Sequence, residues 1–192
     1  NSGSGINTRG HSTLTFNAPV TSNENGDGII ANNTEMTFND IVTINDNKAT
    51  ANVVWVGIQA DNTIMTFNNT LTASDNAYIG INAYNNSIMT FNANNIPTNV
   101  VNASNNTLDG IIADNNSIMV CYVPVTANEN TPSGTPYADG IAALNQSHMT
   151  FYKDVTANGP DQPTGIYGYS SELTFHENVT TNNNTTQGIQ AQ

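Results

Sequence analysis

The stretch GIQADNTIMTFNNTLTASDNAYIGINAYNNSIMTF, residues 57–91, writes one pattern twice: Gly-Ile-x-Ala, then Ser or Thr, then Met-Thr-Phe. The pattern extends along the whole chain. Gly5, Gly28, Gly57, Gly80, Gly110, Gly140, Gly165 and Gly188 open successive units, at spacings of 23, 29, 23, 30, 30, 25 and 23 residues. Ten or eleven residues after each glycine comes Leu/Met-Thr-Phe, ending at Phe16, Phe38, Phe67, Phe91, Phe151 and Phe175; the fifth unit has Met-Val-Cys, ending at Cys121. Those positions hold all six phenylalanines, and Met36, Met65, Met89, Met119 and Met149 are all five methionines. Residue types confined to one register imply that each repeat occupies an equivalent place in space.

Two residues before each Leu or Met stands Ser or Thr, so the inward set has period two, which is strand alternation and not a helix. A second short strand, Val-Thr or Leu-Thr, follows four residues after the Phe position, as in Val20-Thr21, Val42-Thr43, Leu71-Thr72 and Val125-Thr126. Gly-Ile-x-Ala is a third. Three short strands per coil, joined by polar corners, predict an all-β fold, one right-handed parallel β-helix of about seven coils spanning residues 1–192. At about 4.8 Å per rung the stack is roughly 34 Å long. Asn33, Asn62, Asn86 and Asn116 precede the inward Ser or Thr and mark corners that need the left-handed backbone region, which Asn tolerates.

The fourth coil, with NANNIPTNVV, breaks the Val-Thr rule. The extra residues of coils two, four and five are expected between the Val-Thr strand and the next glycine, which puts every insert on one edge, with a groove between the coil-two and coil-four inserts. NVVNASNNTLD reads as the coil-four insert, and the chain's only tryptophan, Trp55, belongs to that of coil two. Neither end of the array carries a polar cap, which predicts a portion of a longer repeat.

Composition excludes several function classes. Fifteen acidic residues stand against three cations, Arg9, Lys48 and Lys153, for a net charge of −12. Without a basic patch, a phosphate backbone has no partner here, so no nucleic-acid binding is expected. The same shortage argues against anionic lipid, and no apolar run is long enough to insert in a membrane. Cys121 has no disulfide partner, and His11, His148 and His176 have no metal-ligand spacing. Catalytic residues are not expected, because the outward file Thr13, Glu35, Ile64, Ile88, Ile118, His148, Glu172 puts no two carboxylates on neighbouring rungs.

Candidate contact residues remain. Tyr122, Tyr152 and His176 follow the Phe position in consecutive coils and form one outward aromatic file, available to a ligand or simply a stabilising ladder. Trp55 and Tyr137 sit in inserts, where loops on a rigid scaffold carry binding. Asp109 and Asp139 precede the repeat glycine in adjacent coils; they read as solvated turn residues, with a bridging Ca²⁺ as the alternative and no other cofactor expected. Thr15, Thr37, Thr66, Thr90, Thr150 and Thr174 form a ladder broken at Val120, similar to one of the two matched files of ice-binding solenoids.

Imperfect Gly-Ile coils, LTF and MTF strands followed by VT, Asn-rich corners and a single cysteine together resemble the passenger region of bacterial autotransporter adhesins and polymorphic outer-membrane proteins. The Phe-x-x-Asn motif of the latter is matched at Phe91/Asn94 and Phe175/Asn178. The resemblance implies a secreted or surface-displayed stalk, extracellular, that contacts a protein or glycan of host cells, matrix or sister cells, self-association included. A carbohydrate-active β-helix, and an ice-binding or viral spike solenoid, are the alternatives.

Overall fold

The structure is a computed structural model and describes residues 2–48, 55–93, 98–132 and 138–192. Among these there is no helix; the strands fall into three parallel sheets. The Gly-Ile strands, Ile6–Arg9, Ile29–Asn32, Ile58–Asp61, Ile81–Tyr84, Ile111–Ala113, Asp139–Leu144, Thr164–Tyr169 and Gln187–Ala191, form an eight-stranded sheet in chain order. The Met-Thr-Phe strands, from Thr13–Phe16 to Glu172–Phe175, form a seven-stranded sheet, and the two-residue strands from Val20–Thr21 to Val179–Thr180 another. The chain is thus the parallel β-solenoid of about seven turns that its spacing predicts.

Register is set by burial. Ile58, Ile81 and Ile111 pair across rungs, as do Met65, Met89 and Met119, so identical side chains stack. Phe16, Phe38, Phe67 and Phe91 stack in sequence with ring centroids 4.9, 4.9 and 5.3 Å apart. A coil cannot bury its own inner face; its neighbours do so, which is why each repeats the other. At the Cys121 rung the thiol fills less volume than a ring, and Val123, two residues on, is buried in the same core. Its counterparts Asp40, Lys153 and Glu177 lie outside that core.

The corners explain the alternation between ten and eleven residues from Gly to Phe. Coils with ten place one residue in the left-handed region, Asn33, Asn62 or Ser170. Coils with eleven place two: Gly10 and His11, Asn85 and Asn86, Asn115 and Asn116, or Asn145 and Gln146. The opposite corner, between the Val-Thr strand and the glycine, turns on a left-handed Glu24, Asp46, Asp75, Asn105, Glu129 or Asn183.

The residue after that turn forms a buried amide ladder. Asn47, Asn76, Asn106, Asn130 and Gln162 are fully buried. Each amide oxygen accepts from the backbone N–H of the preceding rung's residue, as Asn106 Oδ1 does from Asn76 N at 3.0 Å, and all but that of Asn47 also accept from its amide nitrogen, as Asn106 Oδ1 does at 3.2 Å. Asn106 Nδ2 in turn donates to Ala73 O at 3.2 Å and to Asn130 Oδ1 at 3.1 Å. The ladder lies against the repeat glycines, which explains their identity. A Cβ on Gly80 would stand 2.7 Å from Asn106 Nδ2, Ala73 O and Gly110 O alike.

Two expectations about the inserts are corrected. Val101–Asn102 pairs with Leu71–Thr72 and Val125–Thr126 as a regular third strand, and Asn106 belongs to the amide ladder. NVVNASNNTLD is therefore mostly repeat, and the extra residues of coil four fall between Phe91 and Val101, at a different corner from those of coils two and five. The pattern Val-Thr concealed this because the second residue points outward, where Asn serves as well as Thr. The inserts of coils two and four leave the stack at different corners, so the shared edge on which the expected groove rested does not exist.

Candidate functional site

The outer face of the Gly-Ile sheet carries a second apolar cluster, separate from the core. Val56, Ile79, Ile112 and Ala142 are buried there, with Ile30, Tyr78, Leu108, Leu144 and Tyr167 packed against them. Except for Leu144, two residues further along its strand, its members come from the position after Gly-Ile, which alternation points outward, and from the two positions before the glycine. Trp55 stands at the second of these. Its ring lies on Gly26, where a Cβ would come within 2.6 Å of Cζ3, and its indole Nε1 is buried without a hydrogen-bond partner among the described residues. Trp55 is thus laid down against the coil edge and is not a projecting anchor. Tyr137 lies outside the described residues.

Along this face runs a groove of about 630 Å³, lined by Tyr78, Leu108, Asp109, Ile112, Asp139, Ala142, Leu144, Thr164, Tyr167, Gln190 and Gln192. These residues belong to five consecutive rungs of the sheet, so the groove follows the solenoid axis for about 19 Å, at about 4.8 Å per rung. Asp109 and Asp139 lie on its wall, and the expectation of solvated turn residues fails for both. Asp109 is only 8% exposed. Its Oδ1 accepts from the Asp139 backbone N–H at 2.6 Å, the contact that Asp27 Oδ1 makes with Val56 N at 3.0 Å three rungs earlier. Burial pushes the Asp109 carboxyl up to about 7; that N–H pulls it down, and the neighbouring Asp139 raises it further. Burial likewise raises Asp139 to about 6, opposed by a hydrogen bond from Thr164. The sequence shows that the pair occupies adjacent rungs; the apolar cluster that desolvates it comes from dissimilar residue types and was missed. The usable signal was Trp55, Tyr78 and Leu108, all two residues before a repeat glycine.

The pair alone offers a cation two carboxylates, and among the described residues no three His, Cys, Asp or Glu converge. Ca²⁺ gathers six to eight oxygens.

Tyr122, Tyr152 and His176 do form one file, with centroids 4.8 and 4.5 Å apart and nearly parallel planes. It continues an outward amide file in the earlier coils, Asn17, Asn39, Asn68 and Asn92, joined amide to amide at 2.7, 2.8 and 2.9 Å. Lys153 Nζ meets Glu177 Oε1 beside it at 2.5 Å. Tyr152 is covered by a ring on both faces, whereas Tyr122 and His176 at the ends of the file are each stacked on one face. A sugar ring needs a free aromatic face, which Tyr152 does not offer, so the middle of this file serves to stabilise neighbouring rungs.

On the Met-Thr-Phe sheet the outward Thr15, Thr37, Thr66, Thr90, Thr150 and Thr174 share a line with Val120. Beside them Ile64, Ile88 and Ile118 are exposed by 47, 38 and 40%, with Glu35 and His148 at either side, so the flanking file is not a threonine match. A shallow depression of about 400 Å³ borders this sheet, lined by corner residues including Asn33, Asn62 and Asn86. Cys121 is buried and its thiol is pushed up in pKa by that burial, which leaves it unreactive. No helix among the described residues is long and apolar enough to cross a membrane. Comparison with protein-family models, with characterised proteins and with solved structures returns no match.

Proposed function

We propose that the chain is a non-catalytic binding solenoid, secreted or displayed on a bacterial surface, that attaches to a protein or glycan of host, matrix or sister cells. The observation that carries this reading is the division of labour in the stack. Inward positions repeat rung after rung, whereas the outward positions of the Gly-Ile sheet depart from the pattern and line the axial groove. A rigid rod with a variable outer surface suits presentation and contact. The resemblance to autotransporter passengers supports the same reading, as does a single cysteine.

The carbohydrate-active alternative gains one specific observation, two carboxylates in a groove. Acid and base roles require environments that push two pKa values apart. Burial instead moves Asp109 and Asp139 the same way, and among the described residues no Lys, Arg or His lines the groove. Binding without turnover fits this lining better.

The test is attachment. Beads coated with the purified protein are expected to bind epithelial cells, extracellular matrix or one another above beads coated with an unrelated protein of equal charge. Attachment at the control level on all three surfaces would defeat the proposal.

A further inference from the structure

From the groove on the Gly-Ile sheet we infer a binding site for a neutral oligosaccharide, laid along the solenoid axis across the rungs of Tyr78, Asp109, Asp139 and Tyr167. This rests on the reading of the protein as a binding module and gives that reading a ligand class. Shape is the first ground. A groove of about 630 Å³ has the volume of a small-molecule site, and its length of about 19 Å suits a linear chain, not an ion.

The lining is the second ground. Tyr78, Leu108, Ile112 and Tyr167 give apolar surface for the C–H faces of sugar rings, and Asp109 and Asp139 give strong acceptors for hydroxyl groups. The Asp139 N–H holds the Asp109 carboxylate in place at 2.6 Å, so its orientation exists before a ligand arrives. Unlike the Tyr122 file, Tyr78 and Tyr167 are not stacked on other aromatic rings among the described residues.

Charge is the third. Above about pH 7, where both are ionised, two carboxylates with no cation beside them among the described lining residues, in a chain of net charge −12, repel uronate or sialylated polymers. An extended peptide is disfavoured for a separate reason. The sheet's backbone N–H and C=O groups at this face are engaged rung to rung, as in Ile81 N to Gly110 O at 2.9 Å, so a peptide finds no strand edge to pair with.

The experiment is calorimetric titration of the full chain with short linear neutral oligosaccharides (gluco-, manno- and galacto-series) and with oligouronates of matched length. At least one neutral series is expected to bind, with the oligouronates at least about tenfold weaker. Asp139→Asn and Tyr167→Ala should each lose about tenfold in affinity, about 1.4 kcal/mol. Circular dichroism shows whether each variant still folds, and Tyr152→Ala, on the other file, should bind as the wild type does. Preference for oligouronates, no neutral series bound at millimolar concentration, or folded groove variants of unchanged affinity would each overturn the inference. The adhesive reading fails on different data: bead attachment surviving without neutral-glycan binding keeps that reading and rejects this site, whereas glycan binding without attachment does the reverse.

Discussion

Two files of side-chain amides run along the same solenoid, one sealed inside and one facing solvent, and they obey different rules. The inner file, Asn47, Asn76, Asn106, Asn130 and Gln162, is fully buried and never departs from an amide, even where coil six carries extra residues before Gln162. The outer file begins as Asn17, Asn39, Asn68 and Asn92, with hydrogen bonds as short as those inside, and then changes to Tyr122, Tyr152 and His176. Geometry alone therefore does not fix the residue. Inside, each amide satisfies backbone groups that water cannot reach, and a lost partner leaves them orphaned. Outside, water replaces any partner, and every residue able to stack at rung spacing is acceptable.

The largest effect expected from this difference is at the middle of the inner file. Asn106→Ala strips the buried Asn76 N–H of its acceptor and Ala73 O of a donor, and leaves Asn76 Nδ2 only its bond to Ile44 O. At about 1–3 kcal/mol for each buried group left unpaired, partly relieved by relaxation, the loss should be about 3–5 kcal/mol in chemical unfolding. A loss below about 1 kcal/mol would mean that water enters the ladder and that the two files are not different after all.

Gly80→Ala probes the same file from its other side. The new methyl would press on Asn106 Nδ2, Ala73 O and Gly110 O, each 2.7 Å away, and two of these are backbone atoms of the rigid stack. Overpacking of this kind costs about 1–3 kcal/mol. Gly10→Ala is the contrast to run beside it. Nothing lies within 4 Å of its Cβ, and only the left-handed backbone, at φ 74°, opposes the change. That variant should lose about 1 kcal/mol.

The same contrast governs what could be read in the sequence. Phe and Met are scarce and confined to one register, so burial of the Met-Thr-Phe strand and the three-sheet solenoid were legible before any coordinates. The inner amide ladder was not, because Asn is abundant in every corner and residue type does not distinguish a buried Asn106 from an exposed Asn17. Its positional signal was present: an Asn four residues after the Val-Thr strand in every coil but the sixth. The corner asparagines Asn33, Asn62, Asn86 and Asn116 were legible because left-handed backbone selects few residue types. The groove was the least visible part. Tyr78, Leu108 and Tyr167 share no residue type and no single offset, and only folding brings them to one face.

A smaller effect separates buried from exposed carboxylates by pH. Asp109 and Asp139, raised by burial to about 7 and about 6 from 3.8, bind protons more tightly in the folded chain than in the unfolded one. Between about pH 4 and 7 the folded state therefore holds more protons, and stability falls as pH rises through that window. The decline from about pH 5 to about pH 8 should be about 1–3 kcal/mol. Repulsion among the other acidic groups adds to it, so the informative quantity is the difference from Asp109→Asn. That variant should lose part of the slope and be the more stable protein at about pH 8, with little change at about pH 4. Equal slopes would place Asp109 in water.

The smallest effect belongs to the outer file, where Tyr152→Asn tests whether its change of character carries stability. Tyr152 stacks between Tyr122 at 4.8 Å and His176 at 4.5 Å and is 39% exposed, so the substitution removes two ring contacts. An amide at this position has precedent in Asn39 and Asn68, whose side chains bridge neighbouring rungs. Tyr122 and His176 would remain on either side, and neither offers the amide oxygen that Asn39 finds in Asn17. Stacked aromatic pairs contribute about 0.5–1.5 kcal/mol each when buried, less with their edges in water. The expected loss is therefore about 1 kcal/mol for Tyr152→Asn alone, shrinking to about 0.5 kcal/mol or less when Tyr122→Asn is added and the two introduced amides can join Asn92 in one hydrogen-bonded file. If the double variant instead loses as much as Asn106→Ala, the outer file is held as tightly as the inner one, and burial is not what separates them.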